Sequence, residues 1–182
     1  MEDYAYVLDY LAQGHPDARK FKREPLAYAL GENEFKILEL AIKPDVTLNI
    51  GDYIYIGKDL EKRDKILHVK RRVSYSEITN TAQSELPFII AEIVKKQEPR
   101  FVRFYNESQP ISTRFHMLEL LPGLGKKMMW AILEERKKKP FESFEDIKKR
   151  IPALHHPEKH IVRRIELELS DPNQKYHLFV AK

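Results

Sequence analysis

A chain of 182 residues, 42% apolar and 33% charged, can bury the core of one large domain or two small ones. It has no cysteine, which excludes a disulfide, a thiolate zinc site and an iron–sulfur cluster. No apolar run nears the ~20 residues that span a bilayer, and Met1-Glu2-Asp3-Tyr4 opens no signal-peptide pattern, so a cytoplasmic protein without a membrane partner is expected. The formal charge of +4 is uneven, with 17 Lys+Arg against 18 Asp+Glu over residues 1–109 and 15 against 10 over residues 110–182.

Alternation over residues 4–11 puts Tyr4, Tyr6, Leu8 and Tyr10 on one face and predicts a strand. Gly14-His15-Pro16-Asp17 is a turn, and residues 18–24 read as a basic, irregular connection to Pro25. A second strand is expected over residues 35–42, ended by Lys43-Pro44-Asp45, and a third over residues 53–56, stopped by Gly57. Residues 59–64 form a charged hairpin tip before a fourth strand at 65–73. Residues 81–96 read as a helix with Pro87 in its first turn or at a kink, residues 101–105 as a last strand, and residues 106–110 as a linker. Four short strands, a helix and a final strand, with Gly51-Asp52 entering a strand of alternating Tyr and Ile, give residues 1–109 the order of an OB-like β-barrel. A small SH3-like barrel is the alternative.

Face assignments give this barrel a candidate role. If Ile54 and Ile56 point in, Tyr53 and Tyr55 point out; if Leu67, Val69 and Val73 point in, His68, Lys70 and Arg72 point out. If Val102 and Phe104 point in, Phe101, Arg103 and Tyr105 point out. Exposed aromatics among basic side chains stack on unpaired bases at about 1–3 kcal/mol per base. Tyr53, Tyr55, Lys70, Arg72, Phe101 and Arg103 are therefore candidate nucleic-acid contacts. The alternative is that these aromatics only pack against the helix or the C-terminal part.

The most informative stretch is Leu121-Pro122-Gly123-Leu124-Gly125-Lys126-Lys127. Before it, Ser112 is placed to cap a helix over residues 114–120, whose Phe115 and Leu118 follow helical spacing towards Leu121. After it, Met128, Met129, Ile132 and Leu133 recur at helical spacing up to Lys137-Lys138-Lys139. Only a tight turn fits between, and Gly123 and Gly125 suit it because glycine takes positive φ and admits a close backbone or phosphate. Leu121 and Leu124 are expected to turn inward. The amides of residues 123–126 then lie at the start of the second helix, where N–H groups and partial positive charge favour an anion. The pattern resembles a helix-hairpin-helix motif, a binder of nucleic-acid backbones, which makes Pro122, Gly123, Leu124, Gly125, Lys126 and Lys127 the primary candidate site. A plain αα-turn without a ligand is the alternative.

An echo follows at Ile151-Pro152-Ala153-Leu154-His155-His156. Ser143 is placed to cap a helix over residues 144–150, and Pro157 to open one running to residue 169. Residues 110–182 thus resemble an all-α tandem helix-hairpin-helix domain, with a short terminal strand at residues 176–180. Ala153 and His155 replace the glycines, so the second hairpin is expected to be chiefly structural, and any binding there would fall to side chains such as His155, His156, Lys159, Arg163 or Arg164.

Tyr4-Ala5-Tyr6-Val7-Leu8-Asp9-Tyr10, His68-Val69-Lys70-Arg71-Arg72, Ser84-Glu85-Leu86-Pro87 and the stretch from Leu120 to Lys127 together resemble a conserved archaeal family, domain of unknown function six-five-five, over nearly the whole chain. The resemblance implies an α+β multidomain protein, an OB-like barrel followed by the helix-hairpin-helix domain, that binds nucleic acid and has no assigned activity. Genes of that family commonly lie beside translation and transcription genes, including a ribosomal RNA dimethyltransferase. The resemblance therefore implies RNA rather than DNA, with ribosomal or translation-related proteins as further partners.

Two constellations bear on catalysis or metal binding. DNA glycosylases with such a hairpin use a lysine at its end and an acid further on, near where Lys127 and Asp146 or Glu145 fall. Here the acid sits among Glu142, Lys148 and Lys149 on what reads as a solvated face, and the long helical domain of those enzymes is missing. His156 and His160 are spaced for one helix face, yet Pro157 puts His156 at a cap, and zinc takes three or four ligands. The expectation is a nucleic-acid-binding protein with no catalytic residue, metal or cofactor. A protein–protein scaffold in translation or transcription assemblies and a DNA-binding repair factor are the alternatives.

Overall fold

A computed structural model describes residues 1–17 and 23–182; residues 18–22 of the expected irregular connection lie outside the described residues. Among the described residues, five strands precede five α-helices: β1 Tyr4–Leu11, β2 Leu26–Gly31, β3 Ile37–Ile42, β4 Tyr53–Tyr55, β5 Ile66–Arg72, then α1 Asn80–Lys96, α2 Glu98–Glu107, α3 Lys126–Lys138, α4 Phe144–Arg150 and α5 Pro157–Ser170. The class is α+β. The chain divides into two compact units, Met1–Ile89 with Leu167–Lys182, and Ile90–Glu166. The expected boundary at residues 109 and 110 falls inside the second unit, after α2.

In the first unit the strands form one curled antiparallel sheet, ordered β4-β1-β2-β3-β5. Residues of one parity from every strand, among them Ala5, Val7, Ala29, Leu40, Ile54 and Ile66, meet in a single apolar cluster inside the curl. The sheet is covered on its other face too, since Tyr6, Leu8, Tyr28, Leu30 and Ala41 are also buried. That double burial explains β2, a strand absent from the sequence expectations. All six of its residues are buried, so Leu26-Ala27-Tyr28-Ala29-Leu30-Gly31 shows no alternation.

At the β2–β3 turn the Glu2 carboxylate accepts hydrogen bonds from the Asn33 and Glu34 amides, at 2.9 and 2.6 Å. Gly31 lies against this side chain, and a Cβ there would collide with it. The C-terminal segment returns to the same turn, where the Ala181 amide donates to the Glu34 carbonyl at 3.0 Å. It is not a strand, contrary to expectation. The Phe179 and Val180 amides both donate to the Glu168 carboxylate, at 3.1 Å each, rather than to a sheet edge.

Two further expectations are corrected in the second unit. The expected strand at residues 101–105 is part of α2. Its buried residues Phe101, Val102 and Tyr105 have helical rather than alternating spacing, and Pro99 stands at the helix start, where proline is tolerated. The expected helix over residues 114–120 is only a 3-10 turn, Met117–Leu120, opened by His116 rather than Ser112. The His116 Nδ1 accepts from the Leu118 amide at 3.0 Å while Glu119 accepts from the His116 amide at 2.8 Å.

Elsewhere the local signals hold. Ser143 caps α4, its Oγ accepting from the Asp146 amide at 2.9 Å, and Pro157 opens α5. Arg150, at the end of α4, lies over the Phe141 ring at 4.5 Å and donates to the Lys139 carbonyl at 2.8 Å and to the Glu135 carbonyl. The α3–α4 connection is thus tied at both ends. Ser143→Ala removes the cap, and urea unfolding should register a loss of about 1 kcal/mol. An unchanged midpoint and slope would mean that α4 does not depend on its cap.

Candidate nucleic-acid interface

The candidate site is built on the turn between the 3-10 segment and α3. Leu121 and Leu124 are buried, at 1% and 5% exposure, and the Leu124 amide closes the turn on the Leu121 carbonyl at 3.1 Å. Pro122 is half-buried, whereas Gly123, Gly125, Lys126 and Lys127 are exposed. The inward leucines match expectation. The two glycines differ, however. Gly123 has φ +80°, but Gly125 is the N-cap of α3 with φ −86° and ψ 178°, an extended conformation open to any residue. Nothing lies within 4 Å of where a Gly125 Cβ would stand.

Helix α5 holds this turn by its carbonyls. His160 Nδ1 lies 2.8 Å from the Pro122 carbonyl oxygen, which can only accept, so the proton is on Nδ1. Four residues on, on the same helix face, Arg164 donates to the Leu120 carbonyl at 3.2 Å. Arg164 is buried, at 3% exposure. The peptide bonds of this turn are trans, so each N–H points opposite to the carbonyl of its own peptide unit. With the Pro122 carbonyl turned to α5, the Gly123 amide points away from it. Tyr105 of α2 in turn anchors the start of α5, its hydroxyl donating to the Pro157 carbonyl at 2.6 Å. Burial pushes that hydroxyl's pKa up, and Glu158 adds to the effect.

Beside Gly123 opens a groove of about 300 Å³, lined in part by His155, His156, Lys159, His160 and Arg163. The second turn brings two of these. Leu154 closes it on Ile151 at 3.0 Å, as Leu124 does on Leu121. Positive φ falls on a different residue, however: His155, at φ 55°. The two turns therefore share their buried leucine frame but not their backbone course. Of the two lysines that open α3, Lys126 reaches back to the Arg114 carbonyl at 3.3 Å and to Glu119 at 3.2 Å. Lys127 is exposed and makes no hydrogen bond or ion pair with a described residue. Residues 90–166 carry 17 Lys+Arg against 11 Asp+Glu, while the remainder carries 15 against 17.

The six candidate contacts expected on the barrel do not assemble into one face. Phe101 is fully buried in α2, so the expectation that it stacks on a base is corrected; Tyr105 is buried likewise, and Arg103 is exposed on the same helix. Tyr53 is 48% exposed, but its ring stacks on Tyr4 at 4.7 Å and its hydroxyl donates to Glu32 at 2.9 Å. Burial, followed by that bond to Glu32, raises its pKa. Tyr55 is half-buried, edge-on to Tyr4, and its hydroxyl accepts from the Asp59 amide at 3.1 Å. Lys70 and Arg72 are exposed on β5, at the other end of the strand order from β4. Arg72 donates to the Ala181 carbonyl at 2.5 Å. Two register shifts in the β3–β5 pairing break the expected alternation, leaving Leu67 exposed and Val69 half-buried.

Asp146, weighed as a catalytic acid, accepts from the Glu142 amide at 3.0 Å and from Arg150 at 3.3 Å. The Glu142 amide first, then Arg150, holds its carboxyl below the usual range. Among the described residues no three His, Asp or Glu side chains stand together to hold a metal ion, and no helix is long and apolar enough to cross a membrane. Trp130, outside every candidate site expected from the sequence, stands 58% exposed on α3. The signal was available, since residue 130 falls off the apolar face formed by Met129 and Ile132 and beside Lys126 and Lys127.

A family model described as "Protein of unknown function (DUF655)" matches residues 1–181. An uncharacterized protein of Methanocaldococcus jannaschii, MJ0038, is 52% identical over 180 residues, which are 98% of this chain and 80% of that protein. The crystal structure of Af1531 from Archaeoglobus fulgidus, titled as the same family, superposes with a TM-score of 0.91 at 50% identity, covering 99% of this chain and all of that one.

The two glycines should respond differently to substitution. Gly123→Ala forces an L residue to φ +80° and sets its Cβ 3.4 Å from the His160 ring, so it should cost about 1 kcal/mol or more in urea unfolding. Gly125→Ser places a good N-cap residue in open space and should leave stability unchanged or raised. The reverse ranking would contradict the turn geometry.

Proposed function

The chain belongs to the DUF655 family of proteins of unknown function, and from that premise we propose that it binds the phosphate backbone of nucleic acid, RNA in preference to DNA, without catalysing a reaction. We read the first unit as an OB-like barrel, and the turns at residues 121–127 and 151–156 as a helix-hairpin-helix pair whose second member is degenerate. The observation that carries this reading is the turn at residues 121–127. α5 holds its carbonyls, the exposed start of α3 carries Lys126 and Lys127, the latter unpaired among the described residues, and a groove bordered by His155, His156, Lys159, His160 and Arg163 opens beside Gly123. Helix-terminal amides and cations on one surface are the means by which phosphate is held without reading bases. A protein partner for the first unit is the second reading, favoured by Leu60 and Phe88, which are 72% and 71% exposed.

Anisotropy titrations of labelled RNA and DNA across a salt series test the reading. With about three to five phosphates neutralised, the log–log slope of affinity against salt should be about −2 to −4. Lys127→Ala should weaken all sequences alike and reduce the slope by about 1, and RNA should bind more tightly than DNA of the same sequence. Salt-insensitive binding, or a Lys127→Ala variant with unchanged affinity, would count against the turn. No binding at low salt would remove the proposal.

A further inference from the structure

We propose that Trp130 is a stacking platform for one unpaired nucleobase, so that the second unit prefers single-stranded nucleic acid to duplex. This inference rests on the backbone-binding reading and adds the class of strand. The Trp130 side chain is 58% exposed and makes no hydrogen bond, ion pair or ring contact with any described residue. A large amphipathic ring left in water has given up burial that it could have found in the core.

Its position points to a base. At 100° per residue, Trp130 falls in angle between Lys126 and Lys127, while Met129 and Ile132 of the same helix are buried. Side chains on a helix lean towards its N-terminus, so the indole covers the first turn of α3, where Lys126 and Lys127 lie. From Gly125 to Trp130 the helix rises ~7.5 Å, within reach of one nucleotide whose phosphate sits on the turn. The other exposed residues of α3 are charged: Lys126, Lys127, Glu134, Lys137 and Lys138. On α3, Trp130 is therefore a single aromatic among charges rather than part of an apolar stripe. An aromatic beside cations that track a backbone is the arrangement that holds single strands, since every base offers a π-face.

Trp130 is the sole tryptophan of the chain, so indole emission reports on this ring alone. The full chain is titrated with a short oligoribonucleotide, with an abasic strand of the same length, and with the corresponding duplex, while emission and anisotropy are followed together. The single strand should quench the emission; the abasic strand and the duplex should bind without comparable quenching. Trp130→Ala should lower single-strand affinity about 5- to 150-fold, the equivalent of one stacked base, and leave the abasic strand, the duplex and the salt slope alone. Trp130→Phe should recover part of the loss, and circular dichroism checks that both variants fold. If all three ligands bind with the expected salt slope but emission and the Trp130→Ala affinity do not change, stacking is wrong and the backbone reading stands. If none of them binds, both fall.

Discussion

The second unit depends on the hold of α5 on the carbonyls of the first turn. A buried guanidinium is costly unless its protons find acceptors, and the carbonyls at the end of a helical turn need donors. Arg164 meets both needs at the Leu120 carbonyl, and His160 does the same one turn earlier at Pro122. A hydrogen bond from a charged group such as Arg164 is worth about 1.5–3 kcal/mol, and with the His160 bond it sets which way the peptide units of the turn face. With the Pro122 carbonyl taken by α5, the Gly123 amide points away from that helix. The Tyr105 bond to Pro157 keeps the start of α5 in register for that hold. An anion site that is formed before the ligand arrives loses little to ordering on binding.

On the proposed reading the two turns divide the work. The first offers backbone through a glycine that takes positive φ beside the His160 ring. The second, with His155 at positive φ and Ala153 where the first has Gly123, offers side chains instead. The charge follows the same division, because the cationic excess belongs to residues 90–166 while the remainder is slightly acidic. In the first unit the exposed tyrosine is already stacked on Tyr4 and bonded to an acidic side chain, Glu32, which would repel a phosphate.

Legibility in the sequence followed how local each cause is. β1, β4, β5, α1, α3, α4 and α5 announce themselves through alternation, caps and helical spacing within a few residues. β2 does not, because burial on both faces erases its period, and alanine is a weak strand former. α2 was misread because Phe101 to Tyr105 alternate over too few residues to set against the helical spacing of 101, 102 and 105. The candidate site divides the same way. Glycines and lysines at residues 123–127 are a local pattern and could be read directly, whereas the pairing of Pro122 with His160 spans 38 positions and leaves no mark in either neighbourhood. On the barrel, β-bulges on β5 exposed Leu67, which was expected inside, while Lys70 and Arg72 point out as expected, and the helix at Phe101 buried a presumed contact.

The most direct test of the central claim is a heteronuclear NMR titration of the full chain with an oligoribonucleotide, read amide by amide. The account predicts that the largest shifts fall on Gly123, Gly125, Lys126 and Lys127, with smaller ones around His156 and Arg163, while Tyr53 and Tyr55 stay in place. Shifts concentrated in the first unit, with residues 123–127 unmoved at saturation, would contradict it.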